Sequence, residues 1–507
     1  MPSRIASAVV AALVVPGAIV AVSLGTAQPA AAAICTTRTT HDINHDGKVD
    51  VVVGQPFRKA GNLLDVGAAS VMRGASGGLT ATGNQLLRIT DAGETNAEDD
   101  DTGLASAVGF FDADCFADAI VGVPGDGNGS LLYYKGSSTG LKSPVKITAA
   151  QLHTHARGVG NDFAVGDFNH DGYDDVAIGA YESDNGGGVA ILYGSSTGLV
   201  ISAPAFFDQS TPGVPGSPST GDEFGLSLAA GDFNGDHFAD LAIGVPGEGL
   251  SGVVDAGDVT ILYGTSIGLS SNHSTLWDQN SSGVPGTPEV QDEFGAALAA
   301  GDVTGDGNAD LVVGDPNEGI GSQVLAGEIV LLKGSSGGIT GTGSQVFDQN
   351  STGVPGTSEE TDEFGKSVTV GDFNGDGKAD VAVGVPGEGV GPLDHAGCVD
   401  VLKGTSSGLT GTGSVAWDQD SAGVPGTVEE ADQFGASVLA LKLTGGSRAD
   451  LLIGTPTEDS DGFTDNGSVT VLLTNSSGLT GTGAQAWSAK TLVGGAVTKA
   501  EFGLSLG

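Results

Sequence analysis

The chain has 507 residues, with 62 Asp and Glu against 19 Lys and Arg, and a formal charge of −43. So acidic a composition excludes nucleic acid as a partner, whose phosphates need Lys and Arg, and suits cations, basic partners or simple solubility. Glycine is abundant at 87 residues with 19 Pro, yet their share stays below that of a disordered low-complexity chain, so the glycines are expected in turns.

From the start of the chain, Arg4 supplies a small positive region, Ile5 to about Leu24 is apolar, and Ala31-Ala32-Ala33 offers an Ala-x-Ala cleavage site. This is the layout of a secretory signal peptide over residues 1–33, which leaves 34–507 as a secreted mature chain. An uncleaved anchor is the competing reading, but Pro16 and the alanines make a weak span and no Lys/Arg stop-transfer cluster follows. Cys35 raises a lipoprotein alternative, against which Ile34 stands where a small residue is required. No later apolar run approaches a membrane span. Cys35, Cys115 and Cys398 allow one bridge with one thiol left over; Cys35 and Cys115, near equivalent positions of consecutive repeats, are the expected pair.

Internal repetition then governs the reading. The segment Gly231-Asp232-Phe233-Asn234-Gly235-Asp236 returns at Gly301–Asp306 and Gly371–Asp376, with earlier copies at Gly166–Asp171 and His41–Asp46. Degenerate copies at Asp112-Ala113-Asp114 and Lys442-Leu443-Thr444 bring the total to seven units. The unit around Asp372 is expected to hold four strands, at Phe364–Val370, Ala379–Val385, Cys398–Lys403 and Ser414–Asp418, separated by Gly, Pro, Asn and Asp turns. Four strands repeated seven times predict an all-β, seven-bladed propeller of antiparallel four-stranded blades. The first unit lacks a strand before Asp42, and Glu501–Gly507 repeats the Phe-Gly start of the other units. The C-terminal strand is therefore expected to join blade one and close the ring.

Five loops carry metal-binding chemistry. Asp372, Asn374, Asp376 and Asp380 occupy positions 1, 3, 5 and 9; Gly377 permits the turn and Lys378 offers its carbonyl at position 7. The same pattern gives Asp42, Asn44, Asp46, Lys48 and Asp50, and then Asp167, Asn169, Asp171, Tyr173 and Asp175. It gives Asp232, Asn234, Asp236, Phe238 and Asp240, and finally Asp302, Thr304, Asp306, Asn308 and Asp310. Oxygen ligands in this number suit Ca²⁺ better than Mg²⁺, so about five structural calcium ions are expected. The bland reading, an acidic turn held by its own Asx bonds, has to explain five copies at one spacing. His237 replaces the position-6 Gly and is expected to weaken its loop. Blades two and seven are expected to bind no ion, since the Asp112 loop is shorter and Lys442 and Gly446 displace two carboxylates.

These motifs resemble the FG-GAP repeat of the integrin α-subunit propeller: Phe364-Gly365, Asp372 to Asp380, and Val383-Gly384-Val385-Pro386-Gly387 follow it almost in full. The resemblance covers 34–507 and is closest to a stand-alone secreted bacterial member. It implies that the calcium loops join the first and second strands of each blade, stabilise the ring, and lie opposite the ligand-recognising face. It also extends to the propeller of glycosylphosphatidylinositol-specific phospholipase D, where a separate metal-dependent module precedes the repeats; no such module is recognised ahead of them here.

On the opposite face, Asp208–Gly216 recurs from Asp278, Asp348 and Asp418, each copy ending in an acidic pair or its relative: Asp222-Glu223, Asp292-Glu293, Asp362-Glu363 and Asp432-Gln433. Two readings stand, an acidic binding rim or loops bracing neighbouring blades with Trp277, Phe347 and Trp417 as packing residues. Gly-x-Ser-x-Gly recurs from Gly136, Gly194, Gly264, Gly334 and Gly404. A nucleophile elbow needs a strand-to-helix turn, whereas these copies are expected between strands. His153 and His155 have no unique acidic companion. The expected function is a non-catalytic, calcium-binding adhesion module for an extracellular protein or glycan, with a hydrolase and a purely structural protein as alternatives.

Overall fold

The computed structural model describes residues 38–507 apart from 155–156, 183–184, 460–461, 463 and 494–498. The expected signal peptide and Cys35 lie outside the described residues; Cys115 is disulfide-bonded and Cys398 is a free, buried thiol. Among the described residues no helix is long and apolar enough to cross a membrane.

Seven antiparallel sheets follow one another along the chain. Blade four is representative: Leu228–Gly231, Asp240–Val245, Asp258–Tyr263 and Ser270–Trp277 pair in sequence order. The second strand of a blade is fully buried on both faces, as in Asp310–Asp315 and Asp380–Val385, so it reads as an unbroken apolar run rather than an alternation. The unit around Asp372 departs from expectation at its edges. Its first strand is Ser367–Gly371, because Glu363 and Gly365 adopt left-handed φ of 56° and 95° and keep Phe364 outside the strand. Its outer hairpin is longer, Cys398–Thr405 and Gly408–Trp417, with a register shift between Val401 and Lys403.

Blade one shows only three regular strands, Val51–Gly54, Ala69–Ala75 and Gly78–Leu87. The C-terminal residues supply the fourth. Val52 N–H donates to the Gly507 carbonyl at 2.7 Å, Gly507 N–H returns to Val52 at 2.9 Å, and Gly54 N–H donates to Ser505. The expected ring closure is therefore present.

The core lies between blades rather than within them. Seven clusters of buried side chains each draw on two consecutive blades; the closing one joins Leu452, Val469 and Phe502 to Val51, Val53 and Met72. Phe224, Phe294, Phe364, Phe434 and Phe502, the phenylalanines of the repeated Phe-Gly, are all among the largest fully buried side chains. Each glycine after them serves two blades. Gly435 donates its N–H to Gly454 of its own blade, while its carbonyl faces Gly384 of the preceding one. A Cβ at Gly384 would lie 2.0 Å from that oxygen, and the corresponding distance is between 1.9 and 2.3 Å at all seven junctions, Gly454 against Gly503 included. Serines at or just before the start of the first strand reinforce the seam: the hydroxyls of Ser227, Ser367 and Ser437 donate to Gly295, Gly435 and Gly503.

Gly384→Ala should lower stability by about 1–3 kcal/mol, the usual cost of forcing an extra methyl into a packed seam. Gly389→Ala, whose new methyl would meet only Leu393 at an ordinary 3.6 Å, should melt near the wild type. Equal melting temperatures for the two variants would refute the seam as a constraint.

Candidate functional site

Four of the five Asp-x-(Asn/Thr)-x-Asp loops join the first and second strands of their blades, and the blade-one loop leads into the equivalent second strand, Val51–Gly54, so all five gather at one end of the ring. Position 2 fixes each loop to the core: Ile43, Phe168, Phe233 and Val303 are fully buried and Phe373 nearly so. Position 1 organises the turn. Asp42 accepts from Asp46 N–H at 3.0 Å and Gly47 N–H at 2.8 Å, and Asp167, Asp232, Asp302 and Asp372 repeat the pair of bonds. Position 6 is left-handed in every loop, which glycine accepts and His237, at φ 74°, does at a cost.

Position 9 does something different. Asp240 is fully buried; its Oδ2 accepts Phe233 N–H at 2.9 Å and its Oδ1 accepts Gly264 N–H at 2.8 Å. Asp50, Asp175, Asp310 and Asp380 make the same two-sided clamp between loop and hairpin. So does Asp450 of blade seven, where the other loop carboxylates are missing. The ninth-position carboxylate is thus part of the blade in its own right.

Burial raises these carboxyls, against the pull of their N–H donors: Asp175 to about 8, Asp240 to about 7, and Asp310 and Asp380 to about 6. Nearby loop carboxylates push the same way, Asp236 and Asp232 on Asp240 for example. A divalent cation would relieve both strains. The donor set fits one: every side-chain ligand is an oxygen, and the Thr304 hydroxyl of blade five is buried without a partner. In that event positions 1, 3, 5 and 9 would hold the ion, with the carbonyl of position 7.

Two blades carry cationic side chains paired with blade carboxylates that sequence reasoning missed. Arg73 Nη1 lies 2.8 Å from Asp50 Oδ2 in blade one, both side chains buried. Lys135 Nζ lies 2.8 Å from Asp112 Oδ2 in blade two, across from the degenerate loop. Arg73, Lys135, Lys333 and Lys403 share one register near the end of the third strand, and that repetition was the available signal. In blade two Tyr133 donates its hydroxyl to Asp118 at 2.7 Å, and burial holds Asp118 at about 7.

The opposite end carries the loops between the fourth strand of one blade and the first of the next. Their bracing function is visible in detail. Gln209, Gln279, Gln349 and Gln419 each donate to a Glu of the following blade, Glu248, Glu318, Glu388 and Glu458. Of each acidic pair, the Asp is buried and accepts an N–H three residues earlier, as Asp222 does from Ser219 and Asp362 from Glu359. The second acid remains at the surface: Glu223, Glu293 and Glu363, all left-handed, are half-buried. Burial first and then Glu293, Asp255 and Glu182 raise Glu223, so these acids sense one another around the ring. Trp277, Phe347 and Trp417 are partly buried and pack on the cores between blades.

The Gly-x-Ser-x-Gly copies all lie between third and fourth strands. Ser137, Ser195, Thr265, Ser335 and Thr405 donate their hydroxyls to the carbonyl of the final glycine, which closes the turn. His153 sits in a turn after the last strand of blade two, and His155 lies outside the described residues.

The loop carboxylates and the clamps generate two predictions. His237→Gly should raise the melting temperature by the equivalent of about 1 kcal/mol, by removing a side chain from a left-handed position; an unchanged or lower value would refute the strain. Carboxyls held above their unfolded values stabilise the fold while protonated and lose that contribution as pH rises through the folded values. In chelator, stability should therefore fall between about pH 4 and about pH 8, and Ca²⁺ should flatten the slope. Asp118→Asn should remove part of the fall whether or not Ca²⁺ is present. A melting temperature independent of pH in chelator would overturn the assignment.

Comparison with known proteins agrees with this geometry. The FG-GAP repeat family matches residues 159–192, 224–262, 294–332 and 364–415, within blades three to six. The chain is 31% identical over 268 residues to integrin alpha pat-2 of Caenorhabditis briggsae, covering 50% of this chain and 21% of that one. Integrin alpha-8 of Mus musculus is 28% identical over 300 residues, 57% of this chain and 26% of its own. Phosphatidylinositol-glycan-specific phospholipase D of Dictyostelium discoideum is 26% identical over 219 residues, 42% of this chain and 22% of its own. The chain thus spans about a fifth to a quarter of the length of these relatives. It is a seven-bladed propeller that carries FG-GAP repeats and has integrin α chains among its relatives.

Proposed function

We propose that the chain is a secreted, calcium-stabilised binding module whose acidic rim engages an extracellular protein or glycan. The observation that carries this reading is the division of labour between the two ends. One end repeats an oxygen-only loop in five blades, whose carboxylates are bonded within their own blade while the first Asp's carbonyl accepts an N–H of the next. The other end presents half-buried glutamates whose neighbouring aspartates are committed to the loops themselves. Calcium serves rigidity in this reading, and recognition belongs to the rim, where cations or hydroxyl-rich ligands meet a field of one sign. In this reading Arg73, already on Asp50, weakens the calcium loop of blade one, as His237 weakens that of blade four.

A hydrolase is the second reading, favoured by the match to phosphatidylinositol-glycan-specific phospholipase D. The turn hydroxyls argue against a nucleophile role for the repeated serines, since their neighbours are engaged in closing hairpins.

The test is binding of the intact protein to arrays of extracellular glycans and matrix proteins, in Ca²⁺ and in chelator. The triple variant Glu223→Gln, Glu293→Gln, Glu363→Gln should lose binding by about tenfold or more while melting like the wild type. Ser336→Ala with Ser406→Ala should bind normally. Turnover of a phosphodiester or ester substrate that a single substitution abolishes would replace the proposal with the hydrolase reading; the absence of any saturable ligand would sink both.

A further inference from the structure

Blade five differs from its neighbours at the end carrying the acidic rim. Asp315 ends the second strand, Glu318 lies in the following loop, and Glu328 opens the third strand. The matching positions are Val245, Glu248 and Asp258 in blade four, and Val385, Glu388 and Cys398 in blade six. Blade five therefore has a carboxylate at every position where these neighbours have at most two.

The three side chains converge. Their ligand atoms all lie within 4.8 Å of one another, the one such group of His, Cys, Asp or Glu among the described residues. Atoms no farther apart than about twice the Ca²⁺–oxygen distance can all reach one ion. Asp315 is fully buried and Glu328 is 6% exposed. The charged groups that act on Asp315 are all acids: Glu328, Glu318, Asp292 and Glu293. Ionised carboxylates crowded together away from water need a counter-charge.

A further group from the adjoining blade points into the cluster. Gln279, 4% exposed, donates Nε2 to Asp315 Oδ2 and to Glu318 Oε2, each at 3.1 Å. Its own Oε1 is buried without a partner, and so are Asp315 Oδ1 and Glu328 Oε1. A half-turn of the carboxamide exchanges its oxygen and nitrogen with almost no change in shape, and brings an acceptor where the donor now sits. Orphaned buried oxygens are costly, and a cation satisfies several at once.

We infer that this cluster is a further hard divalent-cation site of the Ca²⁺ class. Asp315, Glu318 and Glu328 supply the anionic ligands and the Gln279 carboxamide a neutral one. The ion ties blade four to blade five on the rim side, at the opposite end from the Asp-x-Asn-x-Asp loops. It is independent of those loops, and either assignment can fail without the other.

The experiment uses the intact chain, stripped with chelator and titrated with Ca²⁺ alone, counting bound ions by equilibrium dialysis and metal analysis. Glu328→Gln should bind one ion fewer than the wild type, Asp372→Asn should lose a different one, and the double variant should lose both. Wild-type stoichiometry and affinity in Glu328→Gln would overturn the site, because carboxyls that merely share protons leave the ion count unchanged. Should that variant fail to fold, Glu318→Gln, at the half-buried loop, carries the test: one Ca²⁺ affinity should weaken by about tenfold or more. Unchanged affinities there would equally overturn it. Loss of ions only from Asp372→Asn would uphold the loop and refute the cluster.

Discussion

The structure rests on the contact between two glycines across each blade junction. The inner part of the ring brings a carbonyl of one blade to within about 2 Å of where a Cβ of the next would stand. Only glycine on the second strand permits this, and the left-handed glycine after the buried Phe aims the carbonyl there. Phe, Gly and the strand glycine are hence a single device, with the Phe filling the core between blades and the glycines setting their separation. The glycine contact repeats at every junction, the closing one included, with Thr102 and Val159 in place of the Phe at two of them, so blades of unequal sequence still meet at one pitch.

Against that frame, the loops at the far end have a layered construction. The buried ninth-position Asp belongs to the blade, since Asp450 keeps its bonds where the rest of the motif has been lost. The first-position Asp shapes the turn, and the remaining oxygens are available for an ion. Blade one, which keeps its full loop, also places Arg73 against the ninth-position Asp50, and blade two places Lys135 against Asp112 of its degenerate loop. Each of these side chains answers the local crowding of negative charge with a cation fixed in the sequence.

Much of the architecture was legible because repetition multiplies weak signals. A single apolar run such as Val381–Val385 is ambiguous, but seven in register are not. Closure by Phe502-Gly503 could be read because those residues restate a motif. Strand edges could not: the outer hairpin of blade six runs on to Thr405 and Gly408, while that of blade five, with the same hydroxyl-closed turn, stops at Lys333 and resumes at Thr340. The inter-blade Gln–Glu bonds, the Arg73 pair and the blade-five cluster were also hidden, because they depend on which loop tip meets which neighbour. Position in a repeat predicts a residue's blade and face, while its partner lies one repeat away and in a different strand.

Ring closure has a kinetic consequence. Gln485 bonds with both the carbonyl and the N–H of Leu79, 406 residues earlier, and Gly507 pairs with Val52. Most blades can assemble from neighbouring sequence, but blade one must wait for the far end of the described chain. Such distant pairing has a large loop-closure entropy to overcome and slows folding. Until it forms, the strand Val51–Gly54 is an open sheet edge, the template on which unwanted strands add. The last few residues therefore act as a latch, and the interval before they engage is when the chain is most exposed to self-association.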